Sequence, residues 1–491
     1  MAHRRLKEAF VFLSTLVLSS CDVRDSAPAG VGSLRSHRPL NPRGTFPEKE
    51  EPYENSLASP SKIHDTSSED RSLSSPFPQR HEDDEGEVCI AVTGGAGQIA
   101  YALLPSLIDG RVFGDGRRVR LRLLDIEPCA EALEGVAMEI RDCCSRLVTE
   151  VVTTTIPEVA FKDADVAILL GGFPRLPGME RRDLIAKNVH IMADHGRALA
   201  KCAKTSVRVL VVANPACTNC LVASICAPSI PRSQFSSLAR LDQDRLSAML
   251  AAEISSGTVS LIALVGHTRD VEQEPLTERR QRKNNMPPSH VDIRGVYLWG
   301  NHSPSMWPDV SRGEAKMNGR WVPVEDFLGG EEARAAAEGS GDKVIDAAAA
   351  EDRTAARREW VSTMLVPAVR ARGTKVMEAR GKSSALSAAN AIAGHLRDWL
   401  STPTRSDRGG RRFAVAAYGS MGVSSDGNPY GVPGGLFYSF PVACGEGRHR
   451  IMEGFSPDKA MLDASTQELL EERQEAFDML RESGLLEEPP K

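Results

Sequence analysis

Short apolar runs alternate with helical stretches along most of the chain. Each run is rich in Val, Ile and Leu, which is typical of parallel strands buried on both faces. Three runs have this character, Val88–Thr93, Val166–Leu170 and Val207–Val212, and a further predicted strand, Val119–Leu124, alternates Arg with apolar residues. A helix is predicted over Ile99–Ile108, directly after the first run. Strands that alternate with helices predict an α/β fold with a doubly wound parallel sheet.

The two ends of the chain have different patterns. Residues 1–22 combine a basic start with the apolar run Ala9–Leu18, which indicates a targeting segment and is too short to span a bilayer. Residues 23–86 are rich in Ser, Pro and charge and predict a disordered extension. It is either a transit segment of an organelle protein, such as a plastid protein, or a tolerated N-terminus of a cytoplasmic one. Near the other end, Ser465–Leu485 predicts an amphipathic helix.

Two segments of the second half break the pattern and are interpreted as surface insertions. The first, near 256–288, contains the basic run Glu278–Lys283, and the second, near 328–356, is rich in Ala, Gly and acidic residues. A solvated loop is the simplest interpretation of the basic run, and an anion-binding patch is the alternative. A retained intron would also explain the first insertion.

Composition and charge exclude several classes of protein. The net charge of −6 argues against nucleic-acid binding through a basic surface. The ten cysteines have irregular spacing, and Cys217, Cys220 and Cys226 have no His at zinc-finger distance. The sequence therefore predicts reduced thiols and no metal site. It also contains no other apolar stretch of about 18 residues, so no transmembrane span is predicted in the mature protein.

A glycine-rich turn follows the first predicted strand and carries candidate cofactor-binding residues. It has the form G-x-x-G-x-x-A, and Asp125 ends the second strand. Glycines let the backbone approach a pyrophosphate at a helix N-terminus, and a carboxylate at the second strand binds ribose hydroxyls and repels a 2′-phosphate. The pattern favours NAD over NADP, and the alternative is an ordinary strand–helix turn. The candidate contacts are Gly94, Gly97, Gln98, Ile99 and Asp125.

An ordered set of motifs runs through the rest of the chain. The motifs are GGAGQIAY, LLDI, FPRLPGMERRDL, NPACTNCL, APSIP, RLDQDR, WGNHS, KSSALSAA, SMGVSSDGNPYGVP and LFYSFPV. In this order they resemble the cytosolic-type malate dehydrogenases of the lactate/malate dehydrogenase superfamily. The resemblance implies a Rossmann-type NAD-binding domain at 87–237, an α+β catalytic domain at 238–488, and a homodimer with no nucleic-acid partner.

The resemblance also implies an acid/base pair. His302, in WGNHS, matches the catalytic histidine, and Asp242, in RLDQDR, matches its carboxylate partner. Hydride transfer at C2 of malate is coupled to proton transfer at the hydroxyl, which calls for a group that titrates near neutrality. The carboxylate is expected to orient the imidazole and favour its protonated form.

A dicarboxylate substrate requires cations with fork geometry, and three arginines match the family. Arg245 is expected to bind the carboxylate beside the reacting carbon, Arg181 to polarise the carbonyl, and Arg175 to bind the distal carboxylate. Arg175 would separate a malate enzyme from a lactate enzyme. It lies in the segment Leu170–Asp183, which matches a mobile lid with hinges at Gly171 and Gly172.

Further contacts are implied by the resemblance, with some departures from it. Asn214 is expected to contact substrate and nicotinamide, Asn188 and His195 the cofactor, and Ser384 the substrate. His195 replaces a Gln of the relatives, Cys217 replaces an Asn, and Pro177 is expected to stiffen the lid.

Regulation by disulfides is not expected. Plastid NADP-dependent relatives replace the Asp at position 125 and carry cysteine pairs at both ends. Here the extension has only Cys21 and no cysteine follows Cys444, so NAD preference without such a switch is predicted. Two alternative functions stay open: a 2-hydroxyacid dehydrogenase of altered specificity, and a scaffold disabled by its insertions.

Overall fold

The structure is a computed structural model, and it describes residues 86–174, 179–256, 292–317, 319–327, 358–402 and 416–486. All of them belong to one compact unit, Asp83–Lys491. The predicted targeting segment and extension, and almost all of both predicted insertions, lie outside the described residues.

The first half of the chain forms a parallel sheet. Its strands lie in the order β3-β2-β1-β4-β5-β6 within the sheet, and each neighbouring pair is parallel. The order reverses between β1 and β4, which is where doubly wound sheets bind ligands at the carboxyl ends of their strands. The strands are β1 (Glu87–Thr93), β2 (Arg118–Leu124), β3 (Val148–Thr154), β4 (Val166–Leu169), β5 (Arg208–Val211) and β6 (Phe235–Leu238).

Helices cover both faces of this sheet and bury separate hydrophobic clusters. One cluster joins Leu103 and Leu107 to Ile90, and the other joins Val189 and Phe161 to strand residues of the opposite face. Burial on both faces explains why β1, β4 and β5 are largely apolar runs. The helices are α1 (Gln98–Ile108), α2 (Ala130–Asp142), α3 (Pro157–Phe161), α4 (Arg181–Cys202), α5 (Ala216–Ile225) and α6 (Arg240–Ser256).

The middle of the chain forms small antiparallel units around the far end of α6. Strand β8 pairs with β9, and β10 pairs with β7 and β11. A cluster that includes Leu246, Leu250 and Val296 packs α6 against these units. The elements are β7 (Ile293–Arg294), β8 (Tyr297–Trp299), β9 (Trp307–Asp309), β10 (Glu314–Met317), β11 (Arg320–Pro323), α7 (Val324–Phe327), α8 (Val366–Arg380) and α9 (Leu386–Leu400).

Three further strands extend the parallel sheet. Strand β12 (Ala417–Ser424) pairs antiparallel with β6, so that Gly422 lies opposite Ser237, and β13 (Phe437–Gly445) and β14 (Arg448–Ile451) follow outward. The described strands of the two halves therefore form one nine-stranded sheet. The chain then enters α10 (Lys459–Glu482).

The predicted doubly wound sheet with a C-terminal α/β part is confirmed. For each of the four predicted strands, the first and the last residue lie within one position of the prediction. Helix α10 begins at Lys459, before the predicted Ser465, because the side chain of Asp458 caps it by accepting a hydrogen bond from the Met461 N–H at 3.0 Å. In the described ranges no helix is long and apolar enough to cross a membrane.

Candidate active site

The glycine turn between β1 and α1 packs directly on the turn that follows β4. Gly94 has a φ of +67°, and a Cβ there would lie 3.0 Å from both the Cα and the backbone N of Gly171. Only a residue without a Cβ allows this backbone contact. Gly97 precedes α1 and gives it no side-chain cap within the described part of the chain, so the first N–H groups of the helix are available to an anion.

Asp125 lies beside this turn at the end of β2. Its Oδ2 accepts a hydrogen bond from the Ala96 N–H at 2.9 Å, and its Oδ1 accepts one from the Ile126 N–H at 2.8 Å. The carboxylate is half-buried, while Gln98 at the start of α1 is exposed and Ile99 is half-buried. An uncapped helix start, a close glycine turn and an anchored carboxylate fit a dinucleotide diphosphate and its ribose.

Asn188 joins two loops at the carboxyl ends of β4 and β5. Its Nδ2 donates to the backbone oxygen of Asn214 at 2.9 Å and to that of Phe173 at 3.3 Å, and its Oδ1 accepts from the Phe173 N–H at 2.6 Å. Asn188 is 0% exposed. The Asn188 side chain thus holds Asn214 and the start of the predicted lid, and its predicted cofactor contact stays a prediction.

His302, Asp242 and Arg245 come together as predicted from the motifs. Asp242 contacts the His302 Nδ1 through Oδ2 and accepts from the Arg245 Nη1 through Oδ1 at 2.9 Å. The Arg245 Nη2 donates to the Ser384 hydroxyl at 3.2 Å, which adds the fourth predicted residue. Burial raises the pKa of the Asp242 carboxyl, but the charges and hydrogen bonds of His302 and Arg245 outweigh it and hold that pKa below its ordinary value.

Exposure separates the roles within this cluster. The side chain of Asp242 is 5% exposed and that of Arg245 is 10% exposed, whereas the His302 side chain is 31% exposed. Asp242 also lies in the first turn of α6, where a carboxylate is favoured by the helix dipole. The arrangement is a solvent-accessible imidazole backed by a buried anion, with a guanidinium beside it.

The loop that carries His302 is fixed at its base by an aromatic cluster. Trp299 is 1% exposed, and its Nε1 donates to the Asp309 Oδ2 at 3.0 Å. The next residue, Gly300, pairs its backbone with Ser439 of β13 through two hydrogen bonds of 3.1 and 3.0 Å. Rings surround the indole, with centroids 4.8–6.5 Å away: Trp307, Tyr430, Phe440 and Phe455.

Two of the predicted arginines are not placed by the structure. Arg175 lies outside the described residues, as does Pro177 of the predicted lid. Arg181 begins α4, and only its backbone is described. Their predicted substrate contacts stay predictions. Cys217 is buried on α5, with its Sγ 3.4 Å from the Ser237 Oγ.

His195 is buried in the hydrophobic core, and its predicted cofactor contact stays a prediction. The residue is 7% exposed on α4, and its ring packs edge-on against Phe161 with centroids 5.7 Å apart. Burial lowers its pKa to about 4, so the ring is neutral. Phe161 ends α3 in the hydrophobic core, which places the imidazole among apolar side chains.

Three further side chains near the site were not found from the sequence. Gln243 accepts from the Ser420 N–H at 2.8 Å and donates to the Val296 oxygen at 3.1 Å, which ties α6 to β12 and β8. Asn301 and the buried Glu472 of α10 form a hydrogen bond of 2.8 Å. Glu472 could have been noticed as a carboxylate in the apolar stripe of the predicted amphipathic helix, in register with Leu469 and Ala476.

Comparison with known proteins supplies a second line of observation. Residues 88–236 match the lactate/malate dehydrogenase NAD binding domain, and residues 335–480 match the lactate/malate dehydrogenase alpha/beta C-terminal domain. Malate dehydrogenases described as cytoplasmic, from Felis catus and Homo sapiens, are each 40% identical over 397 residues, which is 80% of this chain and 97% of each relative.

Solved structures of both specificities are similar to this chain. Malate dehydrogenase from Naegleria fowleri aligns with a TM-score of 0.60 and 32% identity, covering 80% of this chain and 99% of that one. Trichomonas vaginalis lactate dehydrogenase in complex with NADH and oxamate aligns with a TM-score of 0.62 and 30% identity, covering 80% and 99%. The sequence identity is higher to the malate dehydrogenases described above than to this lactate dehydrogenase.

Proposed function

Since the chain belongs to the lactate/malate dehydrogenase family, we propose that it catalyses the NAD-dependent interconversion of (S)-malate and oxaloacetate. The contact of His302 with a buried Asp242 that also binds Arg245 carries the proposal. This trio combines a proton donor and acceptor with a cation for a carboxylate. The identity to malate dehydrogenases over most of the chain supports the substrate.

Each residue of the trio has a defined task. The His302 Nδ1 is engaged by Asp242, so its Nε2 exchanges the proton with the substrate oxygen. Asp242 keeps the ring oriented and stabilises its protonated form during oxaloacetate reduction. Arg245, held by Asp242 and Ser384, binds the carboxylate beside the reacting carbon. The bound dinucleotide supplies or accepts the hydride.

The predicted lid and Asn214 complete the proposed site. Arg181 polarises the substrate carbonyl and Arg175 binds the distal carboxylate, as the family resemblance implies. Asn214, held through its backbone by Asn188, contacts the substrate and the nicotinamide. Pyruvate has no distal carboxylate, so closing the site on it would leave a buried arginine unpaired.

The direct test is NADH oxidation by the full chain with oxaloacetate or pyruvate, beside the variant His302→Asn. We expect turnover with oxaloacetate and a kcat/KM for pyruvate at least about a hundredfold lower. In the variant we expect kcat for oxaloacetate to fall by about a hundredfold or more. NADH fluorescence titration shows that the variant still folds and binds. A preference for pyruvate would establish the altered-specificity alternative, which the similarity to the Trichomonas vaginalis enzyme motivates.

The chain binds NAD, and Asp125 supports a preference over NADP. The carboxylate lies at the end of β2 beside the glycine turn, where it would repel a 2′-phosphate. We expect kcat/KM for NADH to be at least about tenfold higher than that for NADPH. In Asp125→Ser this ratio should decrease. Comparable kcat/KM values for the two cofactors in the unsubstituted chain would contradict the assignment.

A homodimer is the proposed assembly. Tyr101 of α1 is 53% exposed and Met138 of α2 is 58% exposed, and the Tyr101 hydroxyl donates to Glu139 at 2.6 Å, which joins the two helices at an exposed surface. Burial of such a surface against a second copy is favourable. Sedimentation of the chain and of a Met138→Glu variant checks this, since only the first should be dimeric.

Residues 1–86 are proposed to direct the protein to an organelle. The basic start and the apolar run of 9–18 support this proposal. Fusion of residues 1–86 to a fluorescent protein, observed in the cells of origin, tests it. Uniform cytoplasmic fluorescence would favour the alternative of a tolerated N-terminus.

A further inference from the structure

The loop that carries His302 is held by one face of α10. The Asn301 N–H donates to the Ser465 hydroxyl at 2.7 Å, and the Asn301 Nδ2 donates to the Glu472 Oε1 at 2.8 Å. After His302, the hydroxyls of Ser303 and Ser305 both donate to Glu468. Positions 465, 468 and 472 lie on one side of a helix, so hydrogen bonds from α10 reach the loop on either side of His302.

Glu472 also reaches the other side of the site. It is 3% exposed, and its Oε2 accepts a hydrogen bond from the Thr218 hydroxyl of α5. Helix α5 begins two residues after Asn214, which is proposed to contact the nicotinamide. One carboxylate thus joins the segment of the proposed nicotinamide contact to the residue directly before His302.

The orientation of the Asn301 side chain depends on this carboxylate. Asn301 is 1% exposed, and among the described residues the hydrogen bond to Glu472 is the one that its side chain makes. A buried amide that loses its hydrogen-bond acceptor is costly. Loss of the acceptor would let Asn301 turn and carry the backbone of His302 with it.

We propose that Glu472 is a positioning residue of the acid/base, which acts through Asn301 to hold the His302 imidazole at a fixed distance from the Asn214 segment. This role rests on the proposed function. The hydrogen bonds of Glu472 go to Asn301 and Thr218, so its proposed effect on the imidazole passes through Asn301. A shift of about 1 Å at a reacting group lowers a rate by about a hundredfold.

Glu472→Ala, Glu472→Gln and Glu471→Ala in the full chain test the proposal. Glutamine keeps an acceptor for Asn301 and a partner for Thr218, so we expect kcat for oxaloacetate within about threefold of the unsubstituted chain. Alanine is expected to lower kcat by about tenfold to a hundredfold while the Kd for NADH changes less than twofold. Glu471, exposed on the same helix and hydrogen-bonded to Gln467, is the matched control and should change neither value.

A second variant separates positioning from general loss of structure. Asn301→Ala removes the same hydrogen bond from its other end and leaves Glu472 with Thr218. If Glu472 acts through Asn301, the double variant should lose no more kcat than the worse single variant, and the pH profile of kcat should shift alike in all three. The proposal would be overturned if the fall in kcat of the double variant equalled the product of the falls in the two single variants. It would also be overturned if the single variants fold and keep both kcat and the pH profile.

Histidine NMR distinguishes this proposal from the proposed function. With ¹³C-labelled histidine, the titration curve of His302 should move in Glu472→Ala and Asn301→Ala and stay in place in Glu472→Gln and Glu471→Ala. If the unsubstituted chain turns over no 2-oxoacid, the proposed function fails, yet the titration still tests the positioning. Unchanged curves in folded alanine variants would refute it.

Discussion

At the scale of single residues, Asp242 shows how one carboxylate serves two cations. Its two oxygens contact different partners, His302 and Arg245, and the residue is 3% exposed. Burial raises its pKa, but these partners lower it by more, so Asp242 stays ionised at neutral pH. The negative charge therefore favours the imidazolium that oxaloacetate reduction requires.

Replacing Asp242 by Asn keeps the size of the side chain and an acceptor for Arg245, but it removes the charge and turns an NH2 group toward the His302 Nδ1. We expect kcat for oxaloacetate reduction to fall by at least about a hundredfold, and the decline of kcat/KM with rising pH to begin at a lower pH, because the protonated imidazole loses its counter-ion. Steady-state kinetics between pH 5 and 9 measure both effects. The NADH Kd should change little.

Asp244→Asn is the matched control for this substitution. Asp244 lies on the same helix and pairs with Arg240 at 3.6 Å. It makes no described hydrogen bond to His302 or Arg245, so the rate and the pH profile should stay near those of the unsubstituted chain. A similar profile for the two variants would show that the charge of Asp242 has no special role.

At the scale of elements, the sequence predicted four strands of the parallel sheet well because these strands are largely buried. Apolar runs such as Val88–Thr93 have no competing interpretation once a glycine turn follows. The start of α10 was missed because its cap, Asp458, lies among residues without apolar periodicity. The pairing of β6 with β12 was not predicted, since it joins strands far apart in the chain.

The site residues that belong to local sequence motifs could be predicted, whereas those whose contacts depend on tertiary packing could not. His302, Asp242, Arg245 and Ser384 were found from local motifs and do meet. Glu472 contacts Asn301 and Thr218 across separations of 171 and 254 residues, which no local pattern reveals. The burial of His195 against Phe161 was not predicted for the same reason, because its surroundings are set by α3 packing on α4.

Helix α9 carries a buried histidine and strand β14 a half-buried one, and both predict acid sensitivity. Burial, with Arg240 and His449, lowers the pKa of His395 to about 3, and burial with Arg208 lowers that of His449 to about 4. Neither ring nitrogen of His395 has a partner among the described residues. Between pH 6.5 and 4 these two histidines bind protons in the unfolded chain but not in the folded chain. The free energy of unfolding therefore falls as the pH falls.

The variant His395→Phe should reduce this slope. Phenylalanine can keep the edge-on packing against Trp399, where the ring centroids are 5.8 Å apart, and it removes one titrating group. We expect the fall in unfolding free energy between pH 6 and 4.5 to become smaller by about 1.4 kcal/mol per pH unit. Urea titrations at several pH values measure it, with the exposed His190→Gln as a control of unchanged slope. Parallel slopes for His395→Phe and the original chain would contradict the prediction.

At the scale of the whole molecule, one sheet runs through both halves. The junction is the β6–β12 pair, where a Cβ on Gly422 would lie 1.8 Å from the Ser237 Oγ. The absence of a side chain at Gly422 thus lets the two halves meet. Because the junction is hydrogen-bonded and buried, the described part of the chain is expected to unfold as one unit.

Gly422→Ala tests the junction. We expect the free energy of unfolding to fall by about 1–3 kcal/mol, with circular dichroism and tryptophan fluorescence still following one coincident transition. Adding Ser237→Ala removes the clashing hydroxyl and should recover part of the loss. Gly116→Ala, with no described atom within 4 Å of the added methyl group, should be nearly neutral. Two separate transitions in the unsubstituted chain would show that the halves unfold independently.

The hydrogen bonds between α10 and the loop of His302 have a consequence for biosynthesis. The strands and glycine turn of the cofactor half leave the ribosome first, whereas α10 is the last described element to be made. At about 5–20 residues per second, tens of seconds separate β6 from Glu472. A nascent chain can therefore build its dinucleotide cleft early, but it stays without an assembled acid/base until α10 has been made.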